Sequence, residues 1–322
     1  MGKFRTKKNF GWARSPWYAG LYSLYAYYGE GKYATKAAHI NRWSVFCRYL
    51  RKEGIRDCVA VDRDVLIRYA HHLHEAVACA KMQKSYSVNL VSTVNVVMRA
   101  MRGDSAVWIS PRKYLGSRVR SRIEPPLGMN LQQVLDVASE LRSRGHESTA
   151  IIVLLARGLG LRKKEACLMD MRVARRQATT KGSVNVVKGT KGGRGRNVDR
   201  WVEVPDWMMD VLYRASILQG NNKNLVPPDM NLKIFIARVN RNWRTARDQF
   251  GMAKIHDLRA SYVCEQYAVA TGQPAPVLAS GDVIPPEKSA EGALLTLSNK
   301  VGHGRREVLS AYVGSSTRRR RS

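Results

Sequence analysis

The sequence predicts a mainly α-helical protein with one small β-sheet, arranged as two domains. Three observations lead to this prediction. Apolar residues recur at helical spacing through most of the chain. Only the stretch 183–205 has two short alternating segments around a Gly-rich tip, which indicates two strands and a turn. A basic segment ending in Pro125-Pro126 separates the N-terminal helical region from the remainder, and 322 residues suffice for two cores.

Residues 1–124 are predicted to form a basic arm, a helical bundle and a basic linker. Thr35 and Asp62 are candidate N-caps for two amphipathic helices, and residues 87–101 carry a third apolar stripe. Before them comes a stripe of tyrosines, which could stack on bases but whose helical spacing favours packing: Tyr18, Tyr22 and Tyr25. The segment 110–128 is expected to connect the domains without a helix and to contact phosphate.

Residues 125–322 are predicted to form the second domain, mostly helical around the small sheet. The helical patterns cover 130–144, 147–159, 206–219, 230–249 and 257–270. The segment 271–289 contains four prolines and is expected to be an inserted surface loop.

Charge is the strongest compositional signal. Fifty-five Lys and Arg residues against 25 Asp and Glu give a formal net charge of +30, spread along the whole chain. A folded chain with this excess repels itself unless a polyanion lies against it, and nucleic acid is the polyanion we expect rather than an anionic membrane. No apolar run is long enough to span a membrane. Five widely spaced cysteines indicate reduced thiols and no zinc site, which suits a cytoplasmic, nucleoid-associated or, in a eukaryote, nuclear protein.

Cutting a DNA strand without a metal ion requires a particular set of side chains. Guanidinium groups must hold the charge that develops on the phosphate oxygens, because they are planar, permanently charged and bidentate. The leaving 5′ oxygen needs a proton from a lysine or histidine. A tyrosine nucleophile must lose its own proton, and an ordinary phenol with a pKa near 10 does so only with positive charge nearby.

The chain offers one candidate for each of these parts. "GLGLRKKEACL" contains Arg162 and Glu165, "IHDLRASY" contains His256 and Arg259, and "VGHGRREVLSAY" contains His303 and Tyr312 nine positions later. The Gly-rich tip supplies Lys191, with Lys188 as the alternative. Each residue alone would usually be a surface charge, a structural histidine or a half-buried helix aromatic. The ordered set favours a catalytic interpretation.

In order and spacing, these boxes resemble the tyrosine recombinase (phage integrase) family. The resemblance spans about residues 127–313, where "GLRKKE", "KGGRGR", "HDLR" and "VGHGRREVLSAYV" stand in the family's order. Residues 35–110 are similar to the helical, SAM-like core-binding domain of the family by pattern only. The resemblance implies a mainly α fold with an α+β catalytic domain.

The resemblance also implies roles. Arg162 and Arg259 would clamp the phosphate, His256 and His303 would bind its oxygens or move protons, and Lys191 would protonate the leaving 5′ oxygen. Glu165 would orient its neighbours, and Tyr312 would form a 3′-phosphotyrosyl bond that a 5′ hydroxyl reseals without metal, ATP or cofactor. The implied partners are double-stranded DNA, further copies in a homotetramer on paired sites, and accessory DNA-bending or directionality factors.

Three features depart from the family pattern. Arg259 and His303 are farther apart than in most relatives, Ala260 stands where a further histidine is common, and only the short basic stretch "SSTRRRRS" follows the Tyr312 segment. Two other functions therefore stay open. A type IB DNA topoisomerase uses similar residues, although it usually has a lysine at the position of His256. A non-catalytic DNA-binding protein of the same fold is the second alternative.

Overall fold

The structure, a computed structural model, describes residues 7–118, 121–279 and 290–315. The chain divides at residues 119/120 into two compact units, each with its own apolar core. The described residues are mostly helical, and their β-structure is one two-stranded sheet, which confirms the predicted fold class. Within these ranges no helix has the length and apolar character needed to cross a membrane.

Five α-helices lie among the described residues of the first unit. They are α1 (Pro16–Tyr28), α2 (Tyr33–Lys52), α3 (Arg63–Ala78), α4 (Lys84–Arg102) and the short α5 (Pro111–Leu115). The predicted cap Asp62 accepts a hydrogen bond from the Val65 N–H at 2.8 Å. Thr35 is not a cap, because α2 begins two residues earlier. The helix α5 corrects the expectation of a non-helical linker: Pro111 suits a first helical position, and Leu115 is buried in the core of this unit.

The tyrosine stripe of α1 packs only in part: Tyr22 packs against the core of the first unit, whereas the other two tyrosines are largely exposed. Tyr18 and Tyr25 are 50% and 44% exposed. The buried face of α1 instead carries small residues and one leucine: Ala19, Gly20, Ser23 and Leu24. A Cβ on Gly20 would lie 2.2 Å from Nε1 of Trp43, so this glycine permits the close packing of α1 on α2. Tyrosine spacing alone therefore does not identify the buried face, because small residues allow the closer contact.

The second unit contains nine helices among its described residues. They are α6 (Leu131–Ser143), α7 (Glu147–Gly158), α8 (Lys163–Leu168), α9 (Met171–Lys181), α10 (Trp207–Gln219), α11 (Leu232–Arg247), α12 (Ile255–Thr271), α13 (Glu291–Lys300) and α14 (Ser310–Val313). Strands β1 (Ser183–Asn185) and β2 (Trp201–Glu203) pair antiparallel with Val184 opposite Val202. Apart from Glu147 and Ser148, α7 is buried, and it packs against α6, α10 and α12 as the centre of this unit.

Four helices of the second unit lie outside the predicted helical patterns, and some predictions fall outside the described residues. Two of these helices, α8 and α14, are short; the other two are α9, between α8 and β1, and α13, which follows the Pro-rich segment. The predicted loop 271–289 is described only to residue 279, where Val277 donates its N–H to the Val313 carbonyl at 2.8 Å. The remainder of that loop, the first six residues of the basic arm and the basic stretch 316–322 lie outside the described ranges.

Backbone hydrogen bonds fix the segment that carries Tyr312. The Arg122 N–H donates to the Ser310 carbonyl and the Val277 N–H donates to the Val313 carbonyl, both at 2.8 Å. Tyr312 thus lies on one short helical turn between two anchors that come from distant parts of the second unit. The fold holds this side chain inside its own chain rather than leaving it on an exposed terminus.

Candidate active site

Glu165 lies at the centre of the candidate site and is completely buried. Its Oε1 is 2.7 Å from Nη1 of Arg162 and 2.8 Å from Nη1 of Arg200, and its Oε2 is 3.8 Å from Nη1 of Arg259. Burial by itself would raise the pKa of Glu165, but Arg200, Arg162 and Arg259 outweigh burial and lower the pKa. The carboxylate is therefore ionised at neutral pH and holds three guanidinium groups together.

Arg259, near the start of α12, is also completely buried. Its two Nη groups donate to the backbone carbonyls of Gly160 and Val301, and its Nε donates to the Tyr312 hydroxyl at 3.2 Å. Burial, followed by Arg162 and Arg200, lowers its pKa to about 10, although Tyr312 opposes the shift. The group stays protonated at pH 7, and three of its five N–H bonds define its orientation.

The Tyr312 hydroxyl makes a second contact, with Nε2 of His303 at 3.2 Å. The same nitrogen lies 3.0 Å from Nη2 of Arg162. Because a guanidinium can only donate, this contact assigns Nε2 as an acceptor and places the ring proton on Nδ1. Partial burial, Arg162 and the other nearby cations lower the pKa of His303 to about 4. His303 is therefore neutral at pH 7, and its Nε2, which accepts from Arg162, also lies within hydrogen-bond distance of the Tyr312 hydroxyl.

His256 also lies beside Tyr312, with its ring centre 5.6 Å from that of the phenol. Its side chain reaches solvent, yet partial desolvation, then Arg259 and Arg162, lower its pKa, against the opposing charge of Asp257. A neutral imidazole keeps one N–H, so His256 can still donate a hydrogen bond to a bound anion.

Lys191 and Lys188 differ in their positions relative to this cluster. Lys191 begins a 3-10 turn between β1 and β2, is exposed, and lines a small cleft together with Arg162, Arg200 and His303. Lys188 is also exposed but is not among the residues that line this cleft. The placement favours Lys191 as the lysine that approaches a substrate held by Arg162.

Gly302 makes room for this cleft. Its φ of +68° is accessible mainly to glycine, and a Cβ there would lie 3.0 Å from Nη1 of Arg162 and 3.1 Å from Nη1 of Arg200. Gly302 therefore leaves space for the two guanidiniums beside His303.

Comparison with known proteins supports an assignment of family. Residues 128–265 match the family model described as Integrase, a range that includes Arg162, Glu165, Lys191, His256 and Arg259 but not His303 or Tyr312. Residues 128–265 of this chain are similar to the integrase family of tyrosine recombinases. Comparison with the curated proteins found no match.

Solved structures show the same integrase fold at low sequence identity. A dimer of lambda integrase, residues 75–356, bound to a COC′ core site is 15% identical, with a TM-score of 0.57 over 94% of this chain and 95% of that chain. The Tn1549 transposon integrase, residues 82–397, in complex with circular intermediate DNA is 11% identical, with a TM-score of 0.56 over 92% and 95%. XerH recombinase bound to palindromic difH substrate is 12% identical, with a TM-score of 0.54 over 87% and 76%.

The integrase fold brings together all the residues that the sequence singled out, but sequence reasoning missed Arg200. Arg162, Glu165, Arg259, His303 and Tyr312 form one chain of direct contacts, His256 flanks the phenol, and Lys191 lines the cleft. Arg200 directly precedes β2 and is 5% exposed. Its alternation with the buried Val202 was the available signal, because residues two apart on a strand share a face.

We expect His303 to stay neutral well below the usual pKa of histidine. In 15N-histidine NMR, its ring nitrogens should not titrate between about pH 5.5 and 8, and Arg162→Met should raise the titration midpoint. An unfolded chain protonates this histidine near pH 6.5 while the folded chain does so near 4, so this group makes stability rise with pH between those values. A wild-type midpoint near 6.5 would contradict the assigned geometry.

Proposed function

We propose that this integrase-family chain is a site-specific DNA recombinase of a mobile element that cuts and rejoins strands through a 3′-phosphotyrosyl intermediate, without metal ion or ATP. One observation carries the proposal. The Tyr312 hydroxyl is within hydrogen-bond distance of both Arg259 and His303, and Arg162 contacts the same nitrogen of His303. Nucleophile, proton acceptor and both anion-binding groups therefore meet at one point within a single chain.

The proposed cleavage transfers one phosphodiester bond to tyrosine. The Tyr312 oxygen attacks phosphorus, its proton passes to Nε2 of His303, and the bond from phosphorus to the 5′ oxygen breaks as Lys191 protonates that oxygen. The products are a 3′-phosphotyrosyl bond and a free 5′ hydroxyl. Attack by a 5′ hydroxyl from a partner duplex reverses the same steps and restores a DNA strand, so the exchange needs no external energy source.

The charges of the site fit this reaction. Attack places additional negative charge on the non-bridging phosphate oxygens, and groups already oriented toward that charge stabilise the transition state most. Arg259 is oriented by two backbone carbonyls and Arg162 by Glu165, so neither guanidinium must be ordered when DNA arrives. His256 supplies a further N–H donor beside Tyr312.

We infer double-stranded DNA as the substrate from the charge of +30 together with this site. In this proposal residues 1–124 bind DNA and residues 125–322 cut it, with Glu165 as the residue that orients the arginines. The proposal extends to a homotetramer on paired sites and to accessory DNA-bending or directionality factors, because strand exchange between two duplexes requires four cleavage sites.

Tyr312→Phe should abolish a covalent DNA adduct that the wild-type chain forms in EDTA. The phenylalanine removes only the hydroxyl that would attack phosphorus, so DNA binding should persist. The substrate is a supercoiled plasmid carrying the DNA that flanks the gene, and the adduct is detected by its resistance to denaturant. Tyr262→Phe is the matched control. Tyr262 is also a buried tyrosine but lies on α12, so its phenylalanine variant should still form the adduct.

The products of the same assay distinguish the alternatives. Adduct restricted to particular sites, together with joint DNA molecules, supports the recombinase. Plasmid relaxation without site preference would instead indicate a type IB topoisomerase. Stable binding of the flanking DNA without any adduct would contradict the proposed chemistry and indicate a non-catalytic DNA-binding protein.

Lys191→Ala should slow cleavage by about 10²-fold or more, because general acids typically contribute about 10²–10⁴-fold. Lys188→Ala, the matched control from the same loop between β1 and β2, should cleave at close to the wild-type rate. A substrate with sulfur in place of the bridging 5′ oxygen should rescue Lys191→Ala, since a thiolate leaves without a proton. If Lys188→Ala instead slows cleavage and the sulfur substrate restores its rate, while Lys191→Ala cleaves normally, Lys188 is the general acid.

A further inference from the structure

Arg200 is a third buried arginine in the site, and the proposed clamp of Arg162 and Arg259 assigns it no role. Its side chain is 4% exposed, and its Nε donates to the Lys300 carbonyl at 2.6 Å. Nη1 lies 2.8 Å from Oε1 of Glu165 without the alignment of a hydrogen bond. Nη2 has no hydrogen-bond partner within the described part of the chain. A buried arginine kept for structure alone would ordinarily have these donors satisfied.

The position of Arg200 changes the charge balance around Glu165. Arg162 and Arg200 contact the same carboxylate oxygen at 2.7 and 2.8 Å. Without Arg200, the carboxylate charge would be balanced by the two arginines proposed to bind phosphate, and half of their positive charge would be cancelled. With Arg200 present, the buried cluster keeps a net charge equal to that of Arg162 and Arg259 together.

We propose that Arg200 is a positioning residue that neutralises Glu165, so that the carboxylate can orient Arg162 and Arg259 without weakening their attraction for the scissile phosphate. This inference rests on the proposed cleavage activity. It gives Glu165 and Arg200 coupled roles: the carboxylate fixes geometry, and the third guanidinium offsets the electrostatic cost of that carboxylate. In a buried site such charges act strongly, because little solvent screens them.

The coupling predicts an unusual order of activities. Arg200→Met should reduce the rate of adduct formation by at least about tenfold, because the Glu165 charge is then balanced by Arg162 and Arg259 alone and weakens their attraction for phosphate. In that background, Glu165→Gln removes the excess negative charge, so the double variant should form adduct faster than Arg200→Met alone. Arg200→Lys keeps the charge and should recover part of the wild-type rate. Arg176→Met, which removes one charge from the exposed face of α9, should leave the rate close to wild type.

Adduct formation by each variant is measured on the plasmid substrate that wild type cleaves, and thermal unfolding is measured for the same proteins. A double variant slower than Arg200→Met would overturn the proposal, because two structural defects accumulate instead of offsetting one another. Equal rates for Arg200→Met and wild type would overturn it as well.

The thermal measurement keeps the test independent of catalysis. The double variant should unfold at a higher temperature than the separate effects of its two substitutions predict, because each single substitution leaves an unbalanced buried charge. If the changes in unfolding temperature of the two single variants simply add in the double variant, the proposed pairing of Arg200 with Glu165 is overturned. If wild type forms no adduct but the unfolding temperatures are coupled, the proposed function fails while the charge pairing stands.

Discussion

The second unit is organised around one buried carboxylate shared among three guanidinium groups. Glu165 belongs to α8, Arg200 directly precedes β2, and Arg259 belongs to α12, so the carboxylate joins three separate segments of the chain. Such a cluster is costly to bury, and removing any one partner leaves an uncompensated charge. Arg259 and Arg200 also donate to backbone carbonyls, and those contacts hold the two cations in place.

The position of the Tyr312 side chain on α14 also depends on this cluster. Arg259 orients the Tyr312 hydroxyl through Nε, and Arg162 fixes the acceptor nitrogen of His303 beside it. Two backbone hydrogen bonds, from Arg122 and Val277, hold the helical turn from both ends. Arg122 also pairs with Asp257 at 3.0 Å, which connects this anchor to the first turn of α12 beside His256. The geometry of the reacting groups thus follows from contacts among segments that lie far apart in sequence.

The sequence predicted which side chains lie together better than it predicted the contacts that support them. The boxes around Arg162, His256 and His303 are local and have recognisable spacing, and the structure brings their side chains together. Arg200 stands in no such box. Its spacing of two residues from Val202 is a weak signal by itself, because an arginine before a strand is usually exposed and only the pairing of β2 with β1 buries one face.

Helix-boundary residues indicate α9 in the sequence, whereas the spacing of the tyrosines does not identify the buried face of α1. Asp170 accepts hydrogen bonds from the N–H groups of Arg172 and Val173, and Gly182 ends α9 with a φ of +60°, so both boundary residues were visible in the sequence. Tyr18 and Tyr25 were placed in the core on spacing alone, whereas Gly20 and its small neighbours form the packed face. Apolar periodicity predicts neither the close approach of α1 to α2 nor the helix α9, which is rich in charged residues.

The protonation of Glu165 tests the central claim most directly. Carbon-13 NMR of the glutamate carboxyls, with Glu165 assigned by the signal lost in Glu165→Gln, reports its titration in the folded wild-type chain. The three guanidiniums should hold its midpoint below the ordinary 4.5, despite complete burial. A midpoint above 4.5 would show that burial outweighs the arginines, and would contradict an ionised carboxylate as the organising charge of the site.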